Sequence, residues 1–312
     1  MPIHSRPYRA PSDLARMREL LITGTQAGIT ASYTHPGALD WAMHNPPDEN
    51  ARRMNIRLWE RLDAEPATLE AWAIFMPHEG TFDLFVSPAI YGEPQHEQVM
   101  DEYIAWATVR AREAGIRQLW PFWMLDYDTV AGRFLQARGF EPLVADPAPP
   151  LFERTLDSLP TVRLPPGFTV DGVRGFEDGQ QRALVTFAAF GVREDWETYR
   201  ANYRRFMESD VYDGARDLMV RSPDGRGASV CTIWFDTVNR IGLFEPVATH
   251  PDFQGQGLGK AVMAEGLRRM YAAGMRRAIL GFDPNNAAAL ALYTSMGFQT
   301  ACYFAIYVKN TT

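Results

Sequence analysis

Hydrophobic and polar positions alternate with two different periods along the chain. "DLMVRSPDGRGASVCTIWFD" (217–236) has two apolar runs around a polar turn, which predicts a β-hairpin. "RIGLFEPVATH" (240–250) and "RRAILGF" (276–282) are apolar runs of strand length. Between them, "KAVMAEGLRRMYAAG" (260–274) repeats apolar residues at helical spacing and ends on a glycine. This alternation of strands and helices predicts an α/β fold.

Three further elements complete this half of the chain. "NNAAALALYTSMG" (285–297) predicts a helix that begins at an asparagine cap, and "ACYFAIYVK" (301–309) predicts a last strand. Upstream, "GVREDWETYRANYRRF" (191–206) places aromatic residues on one stripe of an amphipathic helix. Such a stripe packs into a core or lines a ligand site, and both interpretations stay open.

The two halves of the sequence resemble each other. "NAAALALYTSMGF" (286–298) and "DTVAGRFLQARGF" (128–140) align without a gap. Upstream, "HPDFQG" (250–255) matches "SPAIYG" (87–92) in the same order. We therefore predict two copies of one fold.

A proline-rich stretch separates the halves. Prolines flank the short strand-like piece "LFERTL" (151–156), which we interpret as the last strand of the first copy. The predicted domains are residues 1–157 and 167–312, joined by a linker at 158–166.

Composition narrows the class of protein. The 312 residues are 46% hydrophobic and carry a formal net charge of −7. The negative charge argues against a surface that binds nucleic acid or anionic lipid. Two cysteines, Cys231 and Cys302, suit a reducing compartment, and six histidines show no metal-ligand spacing. No apolar stretch has the length of a membrane span or a signal peptide, so we expect a cytoplasmic protein without a bound metal.

The glycine-rich stretch "HPDFQGQGLGKAV" (250–262) precedes a helix and predicts a phosphate site. A nucleotide-triphosphate loop would need glycine at Gln254 and a hydroxyl at Ala261. The dinucleotide motif would need glycine at Lys260 or at Val262. Neither motif is present.

The spacing that remains, Q-x-x-G-x-G from Gln254 to Gly259, follows a strand and opens a helix. Together with N-x-x-A-x-x-L-Y-x-x-x-G-F from Asn286 to Phe298, it resembles the GNAT superfamily of acyl-CoA N-acyltransferases. The resemblance implies two tandem GNAT-like domains, each a central mixed, largely antiparallel sheet flanked by helices. It also implies acetyl-CoA as cofactor, bound by Val247, Ala248, Thr249, Gln254, Gly255, Gln256, Gly257, Leu258, Gly259, Lys260 and Asn286.

Two residues are candidates for the chemistry. By the resemblance, Tyr293 would protonate the departing thiolate, although a tyrosine on an apolar helix face is often a core residue. Glu245 lies in an apolar strand and would act as general base, bind the substrate ammonium or form an ion pair. Pro246 predicts a bulge, and the resemblance implies that the strand separates there from its neighbour, with the Val247 N–H stabilising the oxyanion.

The acceptor is the least specified part. Acidic net charge and a possible aromatic wall suit a small cationic amine, and the candidate substrate residues are Trp196, Tyr199, Tyr203 and Trp234. We expect an N-acetyltransferase that transfers the acetyl group directly in a ternary complex. A non-catalytic acyl-CoA-binding or regulatory protein is the alternative.

The first half lacks the chemical residues. In the aligned repeats, Pro94 stands opposite Gly257, His96 opposite Gly259 and Leu135 opposite Tyr293. Because proline has no N–H and both side chains take up space, we predict that this half binds no coenzyme A.

Overall fold

The computed structural model of the protein describes residues 3–9, 11–28, 35–43, 49–63, 65–77, 80–121, 124–144, 147–161 and 163–311. The chain forms two compact units. Unit 1 comprises Met1–Leu39, Pro46–Pro150 and Cys302–Thr312, and unit 2 comprises Asp40–Asn45 and Leu151–Ala301. Each unit contains one seven-stranded sheet.

Unit 1 has the sheet order β1-β2-β3-β4-β5-β14-β6. Its strands are β1 (Ile3–Pro7), β2 (Ile56–Arg61), β3 (Thr68–Met76), β4 (Thr81–Val86), β5 (Gln118–Pro121), β6 (Glu141–Leu143) and β14 (Ile306–Asn310). The helices in this part of the chain are α1 (Pro11–Gln26), α2 (Pro36–Ala42), α3 (Glu49–Asn55), α4 (Pro94–Glu113) and α5 (Thr129–Ala137). The last residues of α2 belong to unit 2.

Unit 2 has the order β8-β9-β10-β11-β12-β7-β13. Its strands are β7 (Pro150–Thr155), β8 (Thr169–Gly172), β9 (Asp217–Arg221), β10 (Gly227–Asp236), β11 (Ile241–Thr249), β12 (Arg277–Gly281) and β13 (Gln299–Tyr303). The helices are α6 (Gly175–Phe190), α7 (Trp196–Met207), α8 (Leu258–Ala272) and α9 (Ala287–Ser295), with a 3-10 turn at Pro251–Phe253.

Both sheets are mixed and largely antiparallel, as predicted. The pairs β4–β5 and β11–β12 are parallel, and the other pairs whose register is described are antiparallel. The predicted hairpin is β9–β10, and the predicted helix and strand after it are α8 and β12. In the part of the chain that the structure describes, no helix is long and apolar enough to cross a membrane.

The sixth strand of each sheet comes from the other half of the sequence. The piece predicted to end the first copy, β7, pairs with β12 in the sheet of unit 2. The segment predicted as one last strand divides into β13 and β14, and β14 pairs with β5 and β6 of unit 1. The compact units therefore differ from the predicted domains at this exchange of strands. Short apolar strands carry no signal for the sheet they join, which is why the sequence pattern missed it.

Equivalent positions confirm the repeat. The side chain of Asp128 caps α5 by accepting from the Ala131 N–H, and Asn286 caps α9 by accepting from Ala289. The sheet of unit 2 has a core on each face. One lies beneath α8 and includes Val262, and the other lies beneath α6 and includes Val185.

Candidate active site

The first feature of the site is a bulge in β11. Across the β10–β11 pair, Cys231 faces Val247, but Ile233 faces Phe244. β11 therefore holds one more residue than β10 in this interval, and Pro246 lies within it. The predicted bulge is confirmed.

Beyond the bulge, β11 separates from β12. Their parallel register covers only Ile241–Leu243 against Arg277–Ile279. From Phe244 onward, β11 has no register partner on β12 among residues 163–311, which the structure describes without a gap. The separation that the resemblance implied is present, and it leaves a strand edge open to an extended ligand.

The glycine loop then leads into α8. Gly257 is the N-cap of this helix, with a φ of 76°, and no side chain caps the first turn. Gly255 also has a positive φ, and a Cβ at either position would meet no atom within 4 Å. Backbone conformation therefore requires glycine here, and open space lies next to it. The uncapped N–H groups of the first turn form the kind of site that binds anions.

Gly259 has a different role. A Cβ at this position would lie 3.2 Å from a methyl group of Leu292 and 3.5 Å from the Thr249 hydroxyl. The first turn of α8 therefore packs closely against α9 and the end of β11. The Gln254 amide donates to the Thr249 carbonyl at 3.4 Å and connects the loop to the strand.

The other predicted cofactor residues divide by exposure. Leu258 and Ala248 bury their side chains, and the Asn286 side chain caps α9, whereas Gln256 and Lys260 are exposed. Leu258 and Ala248 can therefore contact a ligand only through backbone groups. Whether the predicted set binds acetyl-CoA remains a prediction.

Tyr293 lies on α9 with its ring in the core, where it contacts Phe282 at 5.2 Å between centroids. Burial, with a smaller contribution from nearby Cys231, raises the pKa of Tyr293 to about 12. None of the residues that the structure describes forms a hydrogen bond with its hydroxyl. The phenol therefore keeps its proton at neutral pH.

Glu245 is the residue before Pro246 in the bulge and is partly buried. Burial raises its pKa from 4.5 to about 7, and no charged neighbour contributes. Among the described residues, none donates a hydrogen bond to its carboxylate or forms an ion pair with it. The structural ion pair, one of the three predicted roles, is therefore not formed with any residue described.

Cys231 offers no covalent route. Its thiol is fully buried and donates to the Val262 carbonyl at 3.5 Å. Burial raises the pKa of Cys231, with a further contribution from Asp217, so the reactive thiolate does not form near neutral pH.

The aromatic stripe on α7 faces inward, and most of its polar atoms are already bonded. The Tyr203 hydroxyl donates to Asp217, and the Tyr199 hydroxyl donates to Thr186 at 2.9 Å. On β10, the Trp234 indole N–H donates to the backbone carbonyl of Glu245 at 2.9 Å. These side chains can therefore contact a substrate mainly through their ring surfaces. Their role in acceptor binding stays a prediction.

Two features near these aromatic residues escaped the sequence pattern. Arg182 of α6 and Asp217 of β9 form an ion pair at 2.8 Å with no solvent exposure, and Arg182 also donates to Thr232. Trp41 of unit 2 lies edge-on to Phe206, with 5.1 Å between ring centroids. No sequence motif predicts either contact, because each joins residues that are distant in sequence.

The matching region of unit 1 is built differently. Pro94 is the first residue of α4, and the imidazole of His96 is buried beneath that first turn. Leu135, at the position of the tyrosine, is buried as well.

Comparisons with known proteins agree with this geometry. Residues 184–298 match the Acetyltransferase (GNAT) family model. A mycothiol acetyltransferase from Streptomyces coelicolor is 30% identical over 145 residues, which are 46% of this chain and 46% of that protein. A mycothiol acetyltransferase from Renibacterium salmoninarum is 27% identical over 243 residues, which are 75% of this chain and 70% of that protein. The first curated relatives are matched over about half of their length.

Solved structures match over the whole chain. A tandem GNAT protein from the clavulanic acid biosynthesis pathway has a TM-score of 0.68 and 16% identity, with 100% of this chain and 99% of that chain covered. A GCN5-related N-acetyltransferase from Sphaerobacter thermophilus has a TM-score of 0.61 and 16% identity, with 99% and 96% covered. At this identity the likeness establishes the fold. Residues 184–298 of unit 2 are therefore similar to the GNAT family of acetyltransferases, and the whole chain has the fold of tandem GNAT proteins.

Proposed function

We propose that unit 2 is the catalytic domain of an N-acetyltransferase, which transfers the acetyl group of acetyl-CoA to a primary amine of a small molecule. The observation that carries this proposal is the Glu245 carboxylate. It has no partner among the described residues, and its pKa is raised to about 7 at the point where β11 leaves β12. A group of this pKa accepts a proton well near neutral pH.

The proposed cofactor site uses the loop and the open strand edge. The pyrophosphate of acetyl-CoA lies at the uncapped N-terminus of α8, next to Gly257 and with Lys260 on the first turn. The pantetheine arm runs along the edge of β11 from Val247 to Thr249. This placement puts the thioester near the bulge.

The proposed reaction is direct transfer in a ternary complex. Glu245 takes a proton from the substrate ammonium, and the neutral amine attacks the thioester carbonyl carbon. The carbonyl oxygen becomes an oxyanion, to which the Val247 N–H donates. Collapse of the intermediate breaks the carbon–sulfur bond, and Tyr293 gives its proton to the departing thiolate. The attacking nitrogen releases its second proton to solvent, which gives the neutral amide, and the Tyr293 phenolate regains a proton from solvent. The Tyr293 pKa of about 12 keeps this proton in place until the thiolate forms.

The proposed acceptor is a small cationic amine such as an amino-acid derivative, a polyamine or an aminoglycoside. Trp234 donates its indole N–H to the Glu245 carbonyl, and its ring lies near Phe206, which also contacts Tyr203. Trp196 and Tyr199 both contact Phe187. An ammonium group is attracted to such aromatic faces. This supports an acceptor that combines positive charge with a compact body.

Thiol release with a panel of these amines tests the proposal. We expect at least one amine to be acetylated by the wild type, and the rate to fall about a hundredfold or more in Glu245→Gln. Glu153→Gln, which changes a carboxylate on β7 that pairs with Arg277, is the control and should keep the wild-type rate. Tight acetyl-CoA binding without transfer to any amine would favour the non-catalytic acyl-CoA-binding protein instead.

A further inference from the structure

Unit 1 contains a cavity at the place that corresponds to the candidate cofactor site of unit 2. Its volume is about 50 Å³, and its walls come from β4, the turn after it, α4, the end of β5, the segment that follows β5, and α5. Tyr91, His96 and Asp128 in its wall match Gln254, Gly259 and Asn286 in the sequence repeat. Unit 1 has therefore kept an internal space there while its polar groups have changed.

The walls of this cavity disfavour phosphate. Asp128 places a carboxylate in the wall, and no lysine or arginine is among the described residues that line it. The helix beside it, α4, begins with Pro94, which has no N–H to offer an anion. A negatively charged ligand would meet the like charge of Asp128 without a compensating positive charge from the described lining residues.

His96 supplies one hydrogen-bond donor. Its Nδ1 accepts the backbone N–H of Gly92 at 3.1 Å, so the ring proton lies on Nε2. Burial lowers the pKa of His96 to about 4, with a further contribution from the charge of Arg138, and the ring stays neutral near pH 7. His96 is 2% exposed, and no described residue accepts a hydrogen bond from its Nε2.

The other polar groups of the cavity already bond to each other. The Tyr91 hydroxyl donates to the Asp128 carboxylate at 2.5 Å, and Asp128 also accepts the Ala131 N–H at 3.0 Å. Burial and the charge of Asp128 raise the pKa of Tyr91, so the phenol stays neutral. The rest of the lining is mostly apolar, including Met100, Met124 and Leu135.

We propose that this cavity binds a small uncharged molecule with an apolar body and one carbonyl oxygen, which accepts a hydrogen bond from His96 Nε2–H. The volume holds roughly four water-sized positions, which suits a short amide or acyl group. The site is separate from the proposed acetyl-CoA site of unit 2, and the proposal does not depend on the activity of that unit.

Nuclear magnetic resonance of carbon-13-labelled methionine methyl groups tests it directly in the full-length protein. The probes are isobutyramide, isobutyrate and isobutylamine, which share one carbon skeleton and differ in charge. We expect isobutyramide to shift the methyl signals of Met100 and Met124, assigned by Met→Leu variants. Isobutyrate should bind at least about tenfold more weakly because of Asp128. The signals of Met263 and Met270 in unit 2 should not move.

Variants locate the site. Ala131→Leu fills the cavity and should abolish the isobutyramide shifts, whereas Ala289→Leu at the matched position of unit 2 should keep them. His96→Phe retains a ring of similar shape without the donor and should weaken isobutyramide about tenfold, the effect of one hydrogen bond. If a variant does not fold, the relative binding of the three probes to the wild type still tests the proposal.

Three results would overturn the proposal. The first is an absence of Met100 and Met124 shifts with isobutyramide at saturating concentration. The second is binding of isobutyrate or isobutylamine as tight as that of the amide. The third is displacement of isobutyramide by acetyl-CoA, which would make the cavity a second cofactor site.

Discussion

Units 1 and 2 share a strand order and the caps of matching helices, but they differ at the N-terminus of one helix. In unit 2, Gly257 precedes α8 with a φ of 76° and leaves the first turn open. In unit 1, Pro94 opens α4, and His96 is buried beneath its first turn. The fold persists in both units because it depends on apolar periodicity over many residues. A phosphate site depends on a few backbone groups, and we therefore expect two substitutions to be enough to remove it.

The comparison also corrects a simple expectation about substitution. Because unit 1 folds with Pro94, the alignment alone predicts that a proline at position 257 is tolerated. Proline holds φ near −65°, however, and cannot adopt the left-handed backbone of Gly257. α4 begins at Pro94 itself, whereas α8 begins one residue after Gly257. Gly257→Ala is therefore a better test of the predicted phosphate site than Gly257→Pro, since alanine keeps the backbone N–H.

The largest expected effect concerns the position where unit 2 has tyrosine and unit 1 has leucine. We expect Tyr293→Phe to lower turnover by roughly ten- to ten-thousandfold, because the thiolate would leave without a positioned proton donor. Acetyl-CoA affinity should stay unchanged by calorimetry. Tyr271→Phe, on the exposed side of α8, is the control. Wild-type turnover in Tyr293→Phe would remove this residue from the mechanism.

The next effect concerns stability in unit 2. Asp217→Asn leaves the Arg182 charge buried without its partner and should lower the free energy of unfolding by about 3–5 kcal/mol. Asp178→Asn breaks a pair with Arg221 between the same two elements, α6 and β9, where both side chains are partly exposed. It should cost less than about 1 kcal/mol. Equal losses in denaturant titrations would show that burial does not distinguish the two pairs.

Glu245 should make both the activity and the stability of unit 2 depend on pH. Because its pKa is raised to about 7, the rate should rise as pH increases through 7, where the carboxylate becomes able to accept a proton. The same shift means that the folded protein holds this proton more tightly than the unfolded chain. Proton binding by Glu245 therefore stabilises the folded state. This stabilisation is fully present below pH 4.5 and is lost as pH rises through about 7.

Two measurements check this expectation. A rate profile of the wild type should have its acidic limb near pH 7, and a limb near the ordinary glutamate value would contradict the raised pKa. Unfolding in denaturant at pH 5 and pH 8 should show less pH dependence for Glu245→Gln than for the wild type.

The smallest effect concerns the glycine loop. Gly257→Ala places a methyl group in the open space beside the α8 N-terminus and should weaken acetyl-CoA about tenfold or more. Gly92→Ala is the control in unit 1: Gly92 is aligned with Gly255 and, like Gly257, has a positive φ and open space around it. It should strain the backbone equally and leave acetyl-CoA binding unchanged. Equal losses of affinity would mean that loop strain rather than ligand contact explains the effect.

The sequence predicted local features well and long-range ones poorly. The β9–β10 hairpin, the bulge at Pro246 and the cap at Asn286 depend on neighbouring residues, and the structure confirms them. The exchange of β7 and β14 was missed because a short apolar strand does not specify its sheet. For Glu245 the sequence left three roles open. It could not show that the carboxylate has no partner, because the neighbours of this side chain depend on packing between distant parts of the chain.

The central claim is that one unit carries the acetyl-CoA site and the other has lost it. Isothermal titration of the full-length protein with acetyl-CoA tests this claim most directly. We predict one acetyl-CoA per chain and a loss of affinity in Gly257→Ala. Two equivalent sites per chain, or one site that Gly257→Ala leaves intact, would contradict it.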